Sequence, residues 1–257
     1  MSPRIRNVHG ATLDLLGVGI VSGRYTESIP PEAQLCEELG VSRTVVREAV
    51  KSLAAKNMVV TGPKVGTRVL PWDEWNWFDP DVVAWQGKTG LTRDFLRDLV
   101  EIRRVVEPAA VRLAAQRATA DDLAAIENAY RGMKEAIEHG GDYVRHDLAF
   151  HQGLLRACHN RMLVQMSKAL GALLRTSFEI STSRPDGPAQ SLPLHRAVID
   201  AVIARDAVAA ERACLVLIDG AAEDIDEVLA SRRKLPSLAG PAAQLKAPRP
   251  APRRVTP

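Results

Sequence analysis

Apolar side chains recur at helical spacing along most of the chain, and strand-like alternation is confined to one short stretch. From Thr92 to about Arg232 the pattern predicts six helices, at 92–116, 120–139, 142–158, 161–182, 188–204 and 206–231. Pro185, Gly187 and Pro188 mark the one clear interior loop. Long helices with short connections predict an antiparallel bundle enclosing a central cavity. Ahead of it, a helix over residues 7–22 offers Val8, Leu13, Leu15, Leu16, Ile20 and Val21 as its apolar side.

The stretch Gly40 to Ala54 carries more chemistry. Ser42 is placed to cap a helix. Val46, Ala49, Val50 and Leu53 follow at i, i+3, i+4 and i+7, a buried stripe. The opposite face presents Arg43, Thr44, Arg47 and Lys51. Near a helix N-terminus, Arg can bond guanine bidentately, Thr can meet a thymine methyl, and a further basic residue can hold phosphate. An ordinary solvated basic face would look the same, so the flanks have to decide. Before it, Pro31 suits a first helical turn, Leu35 and Leu39 share a face, and Gly40 can close that helix. After it, residues 58–61 and 67–70 read as strands joined through Gly62-Pro63-Lys64-Val65-Gly66. Lys64 and Gly66 at that tip would allow close backbone approach and a phosphate contact. Helix, turn, helix and hairpin in this order make a winged helix-turn-helix. The expected fold is mostly α: this winged head, residues 1–70, then a linker, 71–90, an antiparallel all-helical bundle, 91–232, and a tail, 233–257.

Composition sharpens the division. The chain is 46% hydrophobic and only 4% aromatic, which favours helix packing over sheet. No apolar run is long enough to span a membrane, no secretion signal is visible, and three cysteines lie in no metal-like spacing. A reduced cytoplasmic setting is expected. Residues 1–70 carry nine Lys/Arg against six acids, residues 71–231 eighteen against twenty-five, and residues 232–257 seven basic residues with no acid. A basic head on an acidic body suits a protein that meets nucleic acid through its head. All four tryptophans fall between residues 72 and 85, where they are expected to join head to body. The tail, with six prolines, is expected to be disordered, either solvated or adding nonspecific DNA affinity.

Several polar residues interrupt the apolar pattern of the bundle. Asp147 and His151 are four apart on one predicted helix, among Val144, Leu148, Leu154 and Leu155. His195 heads another, whose inner side is Val198, Ile199, Val202 and Ile203. A carboxylate and two imidazoles could converge on a divalent ion with open positions, or form a buried Asp–His pair beside a separate histidine. Arg103 shares the inward face of Leu96, Leu99 and Val100, where its planar fork suits a carboxylate ligand or an internal pair with Glu107. Arg175 is a second candidate for a ligand carboxylate.

The run from Ile29 to Leu70, above all LGVSRTVVREAVKSLAAK and the Gly-flanked hairpin, resembles the DNA-binding domain of GntR-type bacterial transcription factors. The helical remainder is similar to the FCD-type sensor domain of their FadR branch. The Trp-Asn-aromatic linker at residues 75–85 is similar to that of galactonate-operon repressors. The resemblance implies DNA reading by Ser42, Arg43, Thr44 and Arg47, with Lys64 and Gly66 in the wing. Ala33 stands where many relatives carry an Arg, which removes one implied base contact. The resemblance also implies a metal set of Asp147, His151, His195 and a further His, but the fourth position falls near Leu217. Zinc is the favoured ion, with manganese and nickel as alternatives, and Arg103 is implied to meet an acidic ligand. The implied function is a ligand-responsive transcriptional regulator, a homodimer on palindromic operator DNA, released by a small carboxylate such as a galactonate-type sugar acid. The rivals are a metal-dependent enzyme and an architectural DNA-binding protein that senses nothing.

Overall fold

The computed structural model describes residues 8–62, 66–89, 91–184 and 186–231. Lys64 and the tail 233–257 lie outside the described residues. In the head, α1 (Val8–Val21), α2 (Glu32–Leu39) and α3 (Arg43–Ala55) precede the hairpin of β1 (Val59–Gly62) and β2 (Gly66–Val69). Gly40 ends α2 in the left-handed region at φ 65°, a conformation that costs a residue without Cβ little. Ser42 Oγ accepts from the Val45 N–H at 3.4 Å and starts α3. Val46, Ala49, Val50 and Leu53 then pack on Leu16 and Ile20 of α1 and Leu35 of α2. The strands pair antiparallel, Val59 opposite Val69 through Gly62 opposite Gly66. Residues 27–29 add a third line: Val69 N–H donates to Glu27 O at 2.8 Å, and Ile29 N–H to Thr67 O at 3.1 Å.

The buried side of α1 differs from the sequence expectation. Val8 and Leu15 are exposed, whereas Thr12, Leu16 and Ile20, each one turn from the last, face inward with Gly17 and Gly19. The glycines matter because large rings lie on them: Trp85 against Gly17 and Tyr25 against Gly19.

The linker holds a short 3-10 turn (Trp72–Glu74) and a helix that the sequence pattern did not reveal, α4 (Pro80–Thr89). This helix belongs to both cores. Val82 and Trp85 are buried with the head, Val83 with the bundle. Trp85 Nε1 donates to Asp14 Oδ1 at 2.9 Å. At the end of α3, Lys56 Nζ lies 2.8 Å from both Asp79 and Asp81. Burial disfavours its charge, but the two carboxylates outweigh that and raise its pKa.

The bundle comprises α5 (Arg93–Arg117), α6 (Ala120–His139), α7 (Tyr143–Ala157), α8 (Arg161–Ser181), α9 (Gly187–Ile203) and α10 (Ala207–Ser231), each end within one residue of the predicted one. Side-chain caps explain this agreement: Thr92, Thr119, Asp142 and Asn160 each accept from a first-turn N–H. The closest neighbours are α6 with α7, α10 with α5 and α9, and α7 with α8. Among the described residues, no helix is long and apolar enough to cross a membrane.

Gly17→Ala would drive a methyl group into the Trp85 ring. It should destabilise the protein by about 1–3 kcal/mol, the usual cost of overpacking, read as a lower melting temperature with altered tryptophan emission.

Candidate functional site: a basic helix and a buried charged cavity

Arg43 and Thr44 are exposed on the first turn of α3, with Arg47 one turn later. Arg47 Nε contacts Glu32 Oε2 at 2.9 Å and Lys51 contacts Glu48 at 2.8 Å, all with well-exposed side chains. Such surface pairs are worth about 0–1 kcal/mol, so Arg47 can exchange Glu32 for another partner at little cost. Gly66 has φ 75° at the inner end of the wing turn.

In the bundle, α5, α7, α8, α9 and α10 enclose a cavity of about 250 Å³. Asp147 and His151 reach it from adjacent turns of α7, and His195 from α9; all three are buried. Asp147 Oδ1 lies 3.0 Å from His195 Nε2 and 3.4 Å from His151 Nε2. The other ring nitrogens are engaged behind: His195 Nδ1 with Ser191 O at 2.8 Å, His151 Nδ1 with Glu107 Oε2 at 2.6 Å. Both Nδ1 atoms face acceptors and therefore carry hydrogen. Both Nε2 atoms then face one carboxylate oxygen, an arrangement that a proton or a metal ion can bridge.

The network continues outward from Glu107. Arg103 Nε donates to Glu107 Oε1 at 2.7 Å, and Nη1 donates to Ser177 Oγ at 3.1 Å. Arg103 is 1% exposed and lies over the Phe178 ring at 4.7 Å. Burial opposes ionisation throughout. Even so, Arg103 and His151 hold the Glu107 carboxyl down at about 2. Hydrogen bonds from His151 and His195 keep Asp147 well below the usual carboxylate range. Burial also opposes the His151 charge, yet Glu107 and Asp147 push its pKa up to about 9.

The internal Arg103–Glu107 pair is thus present, and the same guanidinium lines the cavity. Arg175 does not line it. Its side chain is 47% exposed and paired with Glu179 at 2.9 Å, because the inward stripe of α8 runs through Leu174, Ser177, Phe178 and Ser181. Leu217 is buried in the cavity wall and offers no ligand atom. Sequence reasoning missed the bridge from Glu107 to His151, and it missed Arg184, which lines the cavity while bonded to Asp224 at 2.6 Å. Spacing alone pairs Glu107 with Arg103, and only the packing of α5 on α7 adds the histidine.

Asp147, His151 and His195 offer one ligand atom each, all within 4.8 Å of one another. Two imidazoles oriented through their Nδ1 hydrogens and one carboxylate fit a first-row divalent ion with open positions.

Residues 14–69 match the model for bacterial regulatory proteins of the gntR family, and residues 98–220 match the FCD domain. The chain is 35% identical to the galactonate operon transcriptional repressor of Escherichia coli (strain K12), over 83% of this chain and 94% of that protein. It is 31% identical to the probable D-xylose utilization operon transcriptional repressor of Paenarthrobacter nicotinovorans, over 78% and 80% of the two chains. Its fold is similar to the solved structure of Lar, which controls expression of the Listeria monocytogenes agr system. That likeness has a TM-score of 0.62 at 16% identity, over 90% of this chain and 100% of the other.

Glu107→Gln would leave Arg103 and His151 without the carboxylate they share. Breaking a buried pair this way costs about 3–5 kcal/mol, an expected loss measurable by chemical denaturation of metal-free protein.

Proposed function

The chain belongs to the gntR family of bacterial regulatory proteins and carries an FCD domain, and from this premise we propose how its two sites divide the work. The protein is a ligand-responsive transcriptional regulator, and the relatives it matches are regulators rather than enzymes. The observation that carries our reading is the pairing of an exposed basic helix start with a cavity lined by buried charged groups in a separate core.

On this reading Arg43, Thr44 and Arg47 meet base edges, Ser42 and the wing residues Lys64 and Gly66 approach the backbone, and Arg47 releases Glu32 on docking. A homodimer would present two such helices to half-sites about one helical turn, roughly 34–36 Å, apart. Residues 1–70 would form the reading unit, 71–90 the joint, and 91–232 the sensor.

The effector is a small carboxylate, for which a galactonate-type sugar acid is the leading candidate. The cavity, about 250 Å³, is below the roughly 300–1,000 Å³ typical of sites for larger ligands. Asp147, His151 and His195 would hold a divalent ion, zinc by preference, which when bound supplies a Lewis-acidic anchor for effector oxygens. Arg103 orients the carboxylate, and Phe150 and Phe178 keep the histidine rings in place. Repression is relieved if the effector favours a dimer geometry whose heads no longer match the operator. That requires different effector affinities for the two geometries.

Replacing Arg43 and Arg47 together by Ala should weaken operator binding at least about 30-fold, since each base contact is worth about 1–3 kcal/mol. Unchanged affinity in a gel-shift titration at fixed salt would refute the reading surface. For the sensor, galactonate-type sugar acids should raise the melting temperature of zinc-loaded protein more than that of chelator-treated protein. The shift should vanish in Arg103→Lys, which keeps the charge but loses the fork, and persist in Arg47→Ala. A flat response to the whole sugar-acid panel would remove the effector assignment and leave DNA binding standing.

A further inference from the structure

A second concavity, about 640 Å³, lies at the joint between head and bundle. Trp72, Trp77 and Phe78 of the linker form one wall and Phe95 and Leu99 of α5 the other. Trp77 packs against Trp75 and Phe95, each at 5.6 Å between ring centroids. Trp72 is nonetheless 65% exposed and Phe78 48%. Exposed aromatic surface gathered in one groove marks a place where something binds. Asp94 and Asp98 stand on its rim, sharing Arg97 at 3.1 and 3.5 Å, with more than half of each side chain exposed.

The end of α10 lies beside this groove. Arg93 Nη2 donates to the Leu229 carbonyl at 3.1 Å, and the next residues of α5, Asp94 and Phe95, line the groove. The described part of α10 therefore ends close to the rim. Residues 232–257, which follow it in sequence, hold seven Lys/Arg, no acid and six prolines. Extended, such a segment spans up to about 80 Å at roughly 3.1 Å per residue, far more than it needs here. Its composition matches the groove chemically. Proline-rich segments dock on aromatic-lined grooves, arginine stacks on tryptophan faces, and basic residues favour an aspartate rim.

We infer that residues 232–257 of the same chain occupy this groove. Because Val21 of α1 and Gln86 of α4 also line it, a docked tail straps head to bundle across the joint. This inference concerns a surface that the cavity and the reading helix do not use, so it stands apart from the effector assignment.

The groove contains three of the four tryptophans, so quenching of their emission by acrylamide reads its occupancy directly. The test uses the intact chain without DNA. One variant combines Lys246→Ser, Arg249→Ser, Arg253→Ser and Arg254→Ser; a second combines Asp94→Asn and Asp98→Asn. Each should raise the quenching constant about twofold over wild type, as expected when rings lose a cationic, proline-rich cover. The wild-type protection should be independent of protein concentration. Equal quenching in wild type and both variants overturns the inference. So does protection that disappears on dilution, which would assign the groove to a second copy of the chain.

Discussion

Charge buried without water has to be neutralised locally, and the helices of the bundle are arranged around that demand. Asp147 and Glu107 are both ionised in the interior, and Arg103, His151 and His195 stand against them within hydrogen-bonding distance. Removing any one member would leave another stranded in a medium of low dielectric, at a cost of several kcal/mol. The network ties α5 to α7 through Glu107–His151, α5 to α8 through Arg103–Ser177, and α7 to α9 through Asp147–His195. An aliphatic core would tolerate small slips between these helices; this one fixes their relative positions. The cavity opens on the same groups, so whatever binds there acts on the contacts that hold four helices in register.

Much of this could be read from the chain, for identifiable reasons. The helix α3 and the bundle helices announced themselves through 3.6-residue periodicity, with Ser42 legible as the cap of α3. The convergence of Asp147 with His151 followed from i, i+4 spacing among apolar neighbours. What escaped was mostly tertiary. Glu107 was legible only as an internal partner for Arg103, because nothing local shows that α7 packs over it and adds His151. Arg175 follows two leucines, yet sits a third of a turn away from the stripe of Leu174, Ser177 and Phe178, and so meets solvent. The helix α4 was hidden because its ten residues bury different faces in two cores, which erases a single periodic stripe. The pairing of residues 27–29 with β2 involves too short a segment to alternate.

The two cores meet through α4 with little slack. Trp85 is locked between Gly17 and the Asp14 carboxylate, while Val83 faces the bundle, where α4 packs on α8. The inner face of α8 also supplies Phe178 to the cavity wall and Ser177 to the charged network behind it. A continuous packed route thus runs from cavity wall to α8, to α4, and to the helices of the head. On the proposed reading, this route makes α4 the element through which an effector would act on the head.

The clamp at Lys56 has a mechanical consequence. It fastens the trailing end of α3 to the start of α4, while the residues proposed to face DNA lie at the leading end of the same thirteen-residue helix. At 1.5 Å per residue the helix acts as a lever of about 20 Å, so a tilt of about 10° at the clamped end displaces the tip by about 3–4 Å. A base-edge hydrogen bond tolerates only a few tenths of an ångström. On the proposed reading, a modest swing at the clamped end would be enough to disengage the tip, without any residue of the proposed reading surface changing its own conformation.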